Sequence, residues 1–290
     1  MCERRRNPGL RGALPVGAAL LLLLAGPAAA QVPPEITDRP PGVAPDVARP
    51  VEQVIEFGLG LGRYDFRGSD ATSGFDSQFV RYAHTRPRRD AWRLTVGRQH
   101  RLDDSSLDGG LSYTRFLGDT GLTAGISSGT GDVLAHRYRL DLGITQPVAG
   151  LLASLGYTRL ESKAENSSHG WSLGLTRWFS HVILSAGHRL EFGQPGDTES
   201  STTSLGITWY TWRRTYLGVG ADFGQVAYQL VGPGVPVTSE VLVDYDAWNA
   251  HVALLRYLDD RSGLNLRYDH GDARDIWTTD GVSASYFREW

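Results

Sequence analysis

The sequence predicts an all-β fold: a transmembrane, antiparallel, up-and-down β-barrel of about 14 strands, with 12 as the fallback count, preceded by a signal peptide. Three observations predict it. Segments of alternating apolar and small or polar residues run from Glu52 to Trp290. The links between them alternate in length. The only apolar run near the ~20 residues of a spanning helix, roughly 13–30, lies at the start of the chain, which excludes a polytopic helical protein.

Residues 1–30 have the parts of a signal peptide. Arg4, Arg5, Arg6 and Arg11 form the basic leader, Ala18 to Ala25 the apolar core, and Ala28-Ala29-Ala30 a small-residue cleavage site before Gln31. The only cysteine, Cys2, leaves with this leader, so the exported chain has no thiol chemistry and no acylation site. The leader also carries four arginines and one glutamate, which leaves 25 basic residues against 31 acidic ones. That acidic balance argues against nucleic acid as a partner. Residues 31–51 hold Pro33, Pro34, Pro40, Pro41, Pro45 and Pro50, a density that denies helix and sheet hydrogen bonding and predicts an extended periplasmic tail.

From residue 52 to 290 the period is two. Ile55, Phe57, Leu59 and Leu61 share one face, with Glu56, Gly58 and Gly60 on the other; Leu217, Val219, Ala221 and Phe223 oppose Gly218, Gly220 and Asp222. The same split recurs at Trp92 to Val96, Tyr138 to Ile144, Trp171 to Leu175, Val182 to Ala186 and Leu205 to Trp209. Fourteen segments begin near residues 53, 77, 91, 107, 120, 133, 150, 169, 181, 201, 215, 246, 263 and 281, the second and fifth having the weakest pattern. Short links such as 118–121, 146–149 and 212–215 alternate with stretches expected to be long loops: 67–76, 101–106, 162–168, 193–200, 229–246 and 271–280. Amphipathic strands with short turns at one end and long loops at the other describe a barrel in a bacterial outer membrane, apolar face to lipid.

The last segment places Val282, Ala284, Tyr286, Arg288 and Trp290 on one face. An aromatic terminus after alternating apolar positions resembles the strand that outer-membrane proteins present to the barrel-assembly machinery, although Arg288 departs from the pattern. Aromatic residues near strand ends, among them Tyr64, Trp92, Tyr113, Trp178, Phe179, Trp209, Trp212, Trp248, Tyr257, Tyr286 and Trp290, are expected to form interfacial girdles. Sugar stacking is the sharper alternative for them.

The opposite face holds the candidate functional residues. Glu56, Arg93, Arg139, Asp141, Arg189, Asp222, His251 and Arg267 are expected to line the lumen, and Arg137, Glu191 and Asp269 share that register. Both signs alternate, as ion-paired lumen packing or a weakly selective polar channel requires. The glycine spacings at Gly58, Gly60 and Gly62 open no helix and so are not phosphate loops. Histidines 188 and 251 lack a nucleophile elbow nearby, and His188 and Glu191 fall on opposite faces of a strand. The expectation is therefore no catalytic residue, no metal site and no cofactor: a non-enzymatic barrel. A lipid-modifying enzyme and an adhesive barrel acting through its loops are the alternatives. The acidic loops hold Asp103, Asp104, Asp132, Glu161, Glu165, Asp197, Glu199, Asp272 and Asp275, which are solvating groups or bridges through divalent cations to lipopolysaccharide.

The opening strand Val54-Ile55-Glu56-Phe57-Gly58, running to Arg63-Tyr64-Asp65-Phe66, and the late hairpin Leu255 to Asp260 with Gly263 to Tyr268 and Gly271-Asp272 resemble the YaiO-like outer-membrane β-barrel family. The resemblance implies an outer-membrane location and a neighbourhood of surface-polysaccharide machinery. It implies a localisation more than an established activity; the inward glycines and mixed charges supply the functional expectation, a channel or export component for saccharide or small polar solutes.

Overall fold

The computed structural model describes residues 52–290 apart from 68–71, 102–103, 132–135, 164–166, 195–196, 212–213, 230–241 and 275. The predicted signal peptide and tail, Trp212, Asp103, Asp132, Glu165 and most of the stretch 229–246 lie outside the described residues.

The fourteen strands are β1 (Glu52–Phe66), β2 (Thr72–Arg86), β3 (Asp90–Arg101), β4 (Asp104–Leu117), β5 (Thr120–Gly129), β6 (His136–Val148), β7 (Leu151–Ser162), β8 (Ser167–Trp178), β9 (Val182–Gln194), β10 (Thr198–Tyr210), β11 (Thr215–Gln229), β12 (Leu242–Tyr257), β13 (Ser262–Ala273) and β14 (Trp277–Glu289). Each pairs antiparallel with its sequence neighbours, and β1 closes on β14 along a register from Val54↔Glu289 to Phe66↔Trp277. Closure leaves no edge strand, which is what a sheet surrounded by hydrocarbon requires.

The wall has two faces of opposite chemistry. Phe57, Leu59, Leu61, Val96, Leu111, Ile126, Leu142, Leu173, Leu205, Val252, Leu266 and Val282 are exposed on the outside. A soluble barrel would turn these residues inward; exposing them on every side is stable only in lipid. Fourteen strands about 4.8 Å apart and tilted by about 40° enclose a cylinder roughly 28 Å across between backbones. Side chains alone do not fill that width.

Turns at the short end are tight. Ala149 and Gly150 both have positive φ, +50° and +77°, as a two-residue hairpin matched to the strand twist requires. At the β12–β13 turn the Asp259 carboxylate accepts from the backbone N–H groups of Arg261 and Ser262, each at 2.7 Å, and from the Ser262 hydroxyl. Those donors hold its carboxyl below the usual range, the Arg261 N–H being the largest contributor.

The other end corrects an expectation. The predicted loops 67–76, 101–106, 193–200 and 271–280 are shorter, because β2, β4, β10 and β14 begin at Thr72, Asp104, Thr198 and Trp277. Above the lipid, both faces of a hairpin meet water, so the hydrophobic alternation stops while backbone pairing continues. The pattern reports the membrane band rather than the strand.

Inner-face glycines accommodate rings from neighbouring strands. A Cβ on Gly58 would meet the Phe79 ring, one on Gly62 the Phe75 ring, and one on Gly263 the Phe287 ring. The rings lie flat on the wall where a side chain is missing. Gly224 is different, since its Cβ would strike the backbone at Ser201 and Thr202.

Two outcomes follow from this packing. Gly224→Ala destabilises the barrel by about 1–3 kcal/mol and Gly58→Ala by less, because a ring can shift and a paired backbone cannot; urea unfolding in lipid vesicles measures both. Asp259 has a folded pKa below its unfolded one, so its contribution is full above the ordinary carboxylate range near ~4 and fades as pH falls through the folded value. Asp259→Ala should therefore lower the thermal midpoint at pH 7, by an amount that shrinks as the pH falls below the ordinary carboxylate range.

Candidate functional site

The inner wall carries charge at several levels along the strands. Glu56 on β1 faces Arg81 on β2, whose Nη1 donates to Oε2 at 2.6 Å, while the Ser285 hydroxyl of β14 donates to Oε1 at 2.6 Å. This carboxylate ties both sides of the closing seam.

Three strands repeat one device, an arginine two residues before an acid. On β6, Arg139 chelates Asp141 through Nε and Nη2 at 2.9 Å, and Thr158 of β7 donates to the same carboxylate at 2.9 Å. On β9, Arg189 meets Glu191 at 3.0 Å, with Ser168 of β8 donating at 2.6 Å. On β13, Arg267 meets Asp269 at 2.6 and 2.9 Å. Residues i and i+2 of a strand share a face, so each guanidinium lies along the wall beside its carboxylate instead of reaching across the lumen.

The register puts Asp222 beside Asn249, and His251 between Gly220 and Asp269, so Asp222, His251, Arg267 and Asp269 form one group on β11 to β13. Arg93 lies on β3 between Ala83 and Ser112. All eight lumen candidates stand on the inner face. Arg137 does not join them: a bulge between His136 and Tyr138 gives the inward position to His136, which reaches Ser127 at 2.9 Å, and leaves Arg137 exposed.

Arg81, Asp108, Thr158, Ser168 and Ser285 were missed by the sequence reading. Asp108 accepts from Gln99 at 3.0 Å and Ser106 at 2.7 Å. Each of these residues had the inward parity, which is the signal that could have found them; their partners depend on cross-strand register.

Three aromatic assignments also change. Tyr64, Trp178 and Tyr257 belong to the inner face, by the register that opposes them to Ser73, Ile183 and Gly263. Tyr64 is buried against Trp277, edge to face at 5.5 Å, and against Phe75 at 5.2 Å; Tyr245 and Ala273 complete this cluster. It narrows the long-loop mouth on the β1, β2 and β12 to β14 side. Tyr257 donates to Glu289 at 3.0 Å and meets Phe287 edge-on. Trp92, Tyr113, Trp209, Trp248, Tyr286 and Trp290 keep outward positions and form the girdles.

No family model matches the chain, and no curated protein matches it. Solved structures do. The CymD monoaromatic hydrocarbon channel aligns at TM-score 0.57 and 9% identity over 82% of this chain and 88% of that one. The translocator domain of the autotransporter NalP from Neisseria meningitidis aligns at 0.50 and 11%, over 83% and 89%. An anion-selective porin from Comamonas acidovorans aligns at 0.49 and 9%, over 83% and 99%. The first two of these likenesses show the barrel fold, and the lipid-facing belt on that fold decides the class. The chain is an integral outer-membrane β-barrel. Its short-turn end, where β1 begins and β14 finishes, is periplasmic, and its long-loop end is extracellular.

The Glu56 seam and an outward ion pair separate buried from exposed electrostatics. Arg81 and Glu56 side chains are 19% and 15% exposed, against 65% and 36% for Arg63 and Asp65. Glu56→Ala removes the acceptor of one guanidinium and one hydroxyl hydrogen bond and should cost about 1–3 kcal/mol, whereas Asp65→Ala should cost under about 1 kcal/mol. Denaturant midpoints of the two variants in the same vesicles give the comparison.

Proposed function

We infer that the barrel is a non-enzymatic channel for small polar solutes, saccharides included. The observation that carries this reading is the inner wall itself: its charges are laid flat as neighbouring opposite pairs, so the lumen is polar without a strong field of either sign. Such a lumen wets readily and offers hydroxylated solutes donors and acceptors, yet gives little reward to one ion sign. CymD is a monoaromatic hydrocarbon channel; the ionic inner wall here favours a more hydrophilic cargo. Saccharide passage also agrees with the YaiO-like resemblance and its neighbourhood of surface-polysaccharide machinery.

Single-channel recording of the refolded barrel in planar bilayers tests the reading. The wild type should open in discrete steps with a reversal potential near zero in a salt gradient. Removing the positive partners together, Arg139→Ala with Arg189→Ala and Arg267→Ala, should leave Asp141, Glu191 and Asp269 uncompensated and make the pore cation-selective. Oligosaccharide block of the current supports the saccharide cargo; a folded barrel that never conducts overturns the channel.

A further inference from the structure

The outer wall carries a second candidate site, away from the lumen, at the extracellular ends of β7, β8 and β9. Four rings stand there on the outward face. Trp171 and Tyr157 pack at 4.9 Å, Tyr157 reaches His169 at 6.4 Å, and His169 stacks on Phe192 at 5.4 Å with 28° between planes. Trp171 is 49% exposed. Beside the rings is a cavity of about 230 Å³ lined by His169, Phe192, Gln194, Asp197 and the backbone at Gly193.

Polar groups surround the rings in a mixture of signs. Gln194 donates to Asp197 at 3.1 Å at one edge, and Arg159 lies 3.7 Å from Glu161 at the other. Arg159 is directly opposite His169 in the register. An anion site would need an excess of positive charge, which acidic partners next to each basic group remove. Rings with amide, carboxylate and guanidinium groups at their border suit a neutral hydroxylated ring: its C–H face packs on the aromatic surface, and its hydroxyls donate to carboxylate and accept from guanidinium or amide.

The position indicates what holds that sugar. Directly below Trp171 on the same face come Leu173 and Leu175, 61% and 49% exposed, which belong to the lipid belt, and Leu155 beside them continues it. A ligand seated on the rings therefore meets water above and acyl chains below.

We propose that this outward face of β7 to β9 binds the saccharide headgroup of an outer-leaflet glycolipid, with the rings as its platform and Gln194, Asp197 and Arg159 as its hydrogen-bonding border. The site is independent of the lumen, so a silent channel leaves it standing and an open channel does not establish it.

Binding to the detergent-refolded barrel decides it, with three probes: a diacyl glycolipid with an uncharged disaccharide headgroup, the same disaccharide without its lipid, and phosphatidylglycerol. Two variants accompany the wild type, Gln194→Ala with Asp197→Ala at the exposed border and Trp171→Leu at the platform. Heat-modifiable gel migration verifies that each is folded. The glycolipid should bind the wild type with an affinity at least about tenfold higher than either variant, the scale of one or two lost hydrogen bonds or a lost ring contact. The free disaccharide should bind more weakly than the glycolipid, and phosphatidylglycerol should not distinguish the three proteins. Glycolipid affinity in both variants equal to that of the wild type overturns the site. Phosphatidylglycerol binding as tight as the glycolipid overturns the sugar, and free disaccharide binding as tight overturns the lipid anchor.

Discussion

The constraint on which the rest depends is that backbone amides in hydrocarbon have no water to bond. An unpaired N–H or C=O in the bilayer costs several kcal/mol, so the sheet must close, and β1 pairs with β14 along nearly its whole length. Closure then dictates everything radial. Once the ring is complete, each strand has one face to lipid and one to the lumen, and a residue's parity decides its solvent. The seam also receives an inner carboxylate, Glu56, bonded to a strand on either side.

Inside, the wall resolves a conflict between charge and space. Fourteen strands make a ring wider than its side chains can fill, so the inner residues need no common core; they need only be satisfied locally. Short-range pairs two residues apart on one strand achieve this without depending on the opposite wall. Glycines with rings folded over them keep the wall thin, while the buried cluster of Tyr64, Tyr245, Ala273 and Trp277 is the exception and gathers bulk at one side of the extracellular mouth. The lumen and the outer aromatic platform are thus separate consequences of one alternation, each reading a different face of the same strands.

Much of this was legible beforehand. Fourteen segments and their phase came from a period of two, and Glu56, Arg139 and Arg267 had only to be on the opposite parity from Phe57, Leu140 and Leu266 to be assigned inward. Tyr64 was equally legible, being on Glu56's face, and was misassigned because a ring near a strand end was read by its chemistry instead of its parity. Strand ends above the lipid were less legible. There, water wets both faces, and nothing in the alternation marks where Thr72 or Trp277 begins to pair.

Sequence alone determined the class, a count of about fourteen strands and, away from the bulge at Arg137, the face that strand side chains take, because the bilayer imposes a local rule that every strand obeys separately. Only the tertiary structure decided who meets whom: Arg81 at Glu56, Ser168 at Glu191, and His169 against Phe192. Those contacts depend on register between strands, and register is set by turns, by the bulge at Arg137 and by closure of the ring as a whole.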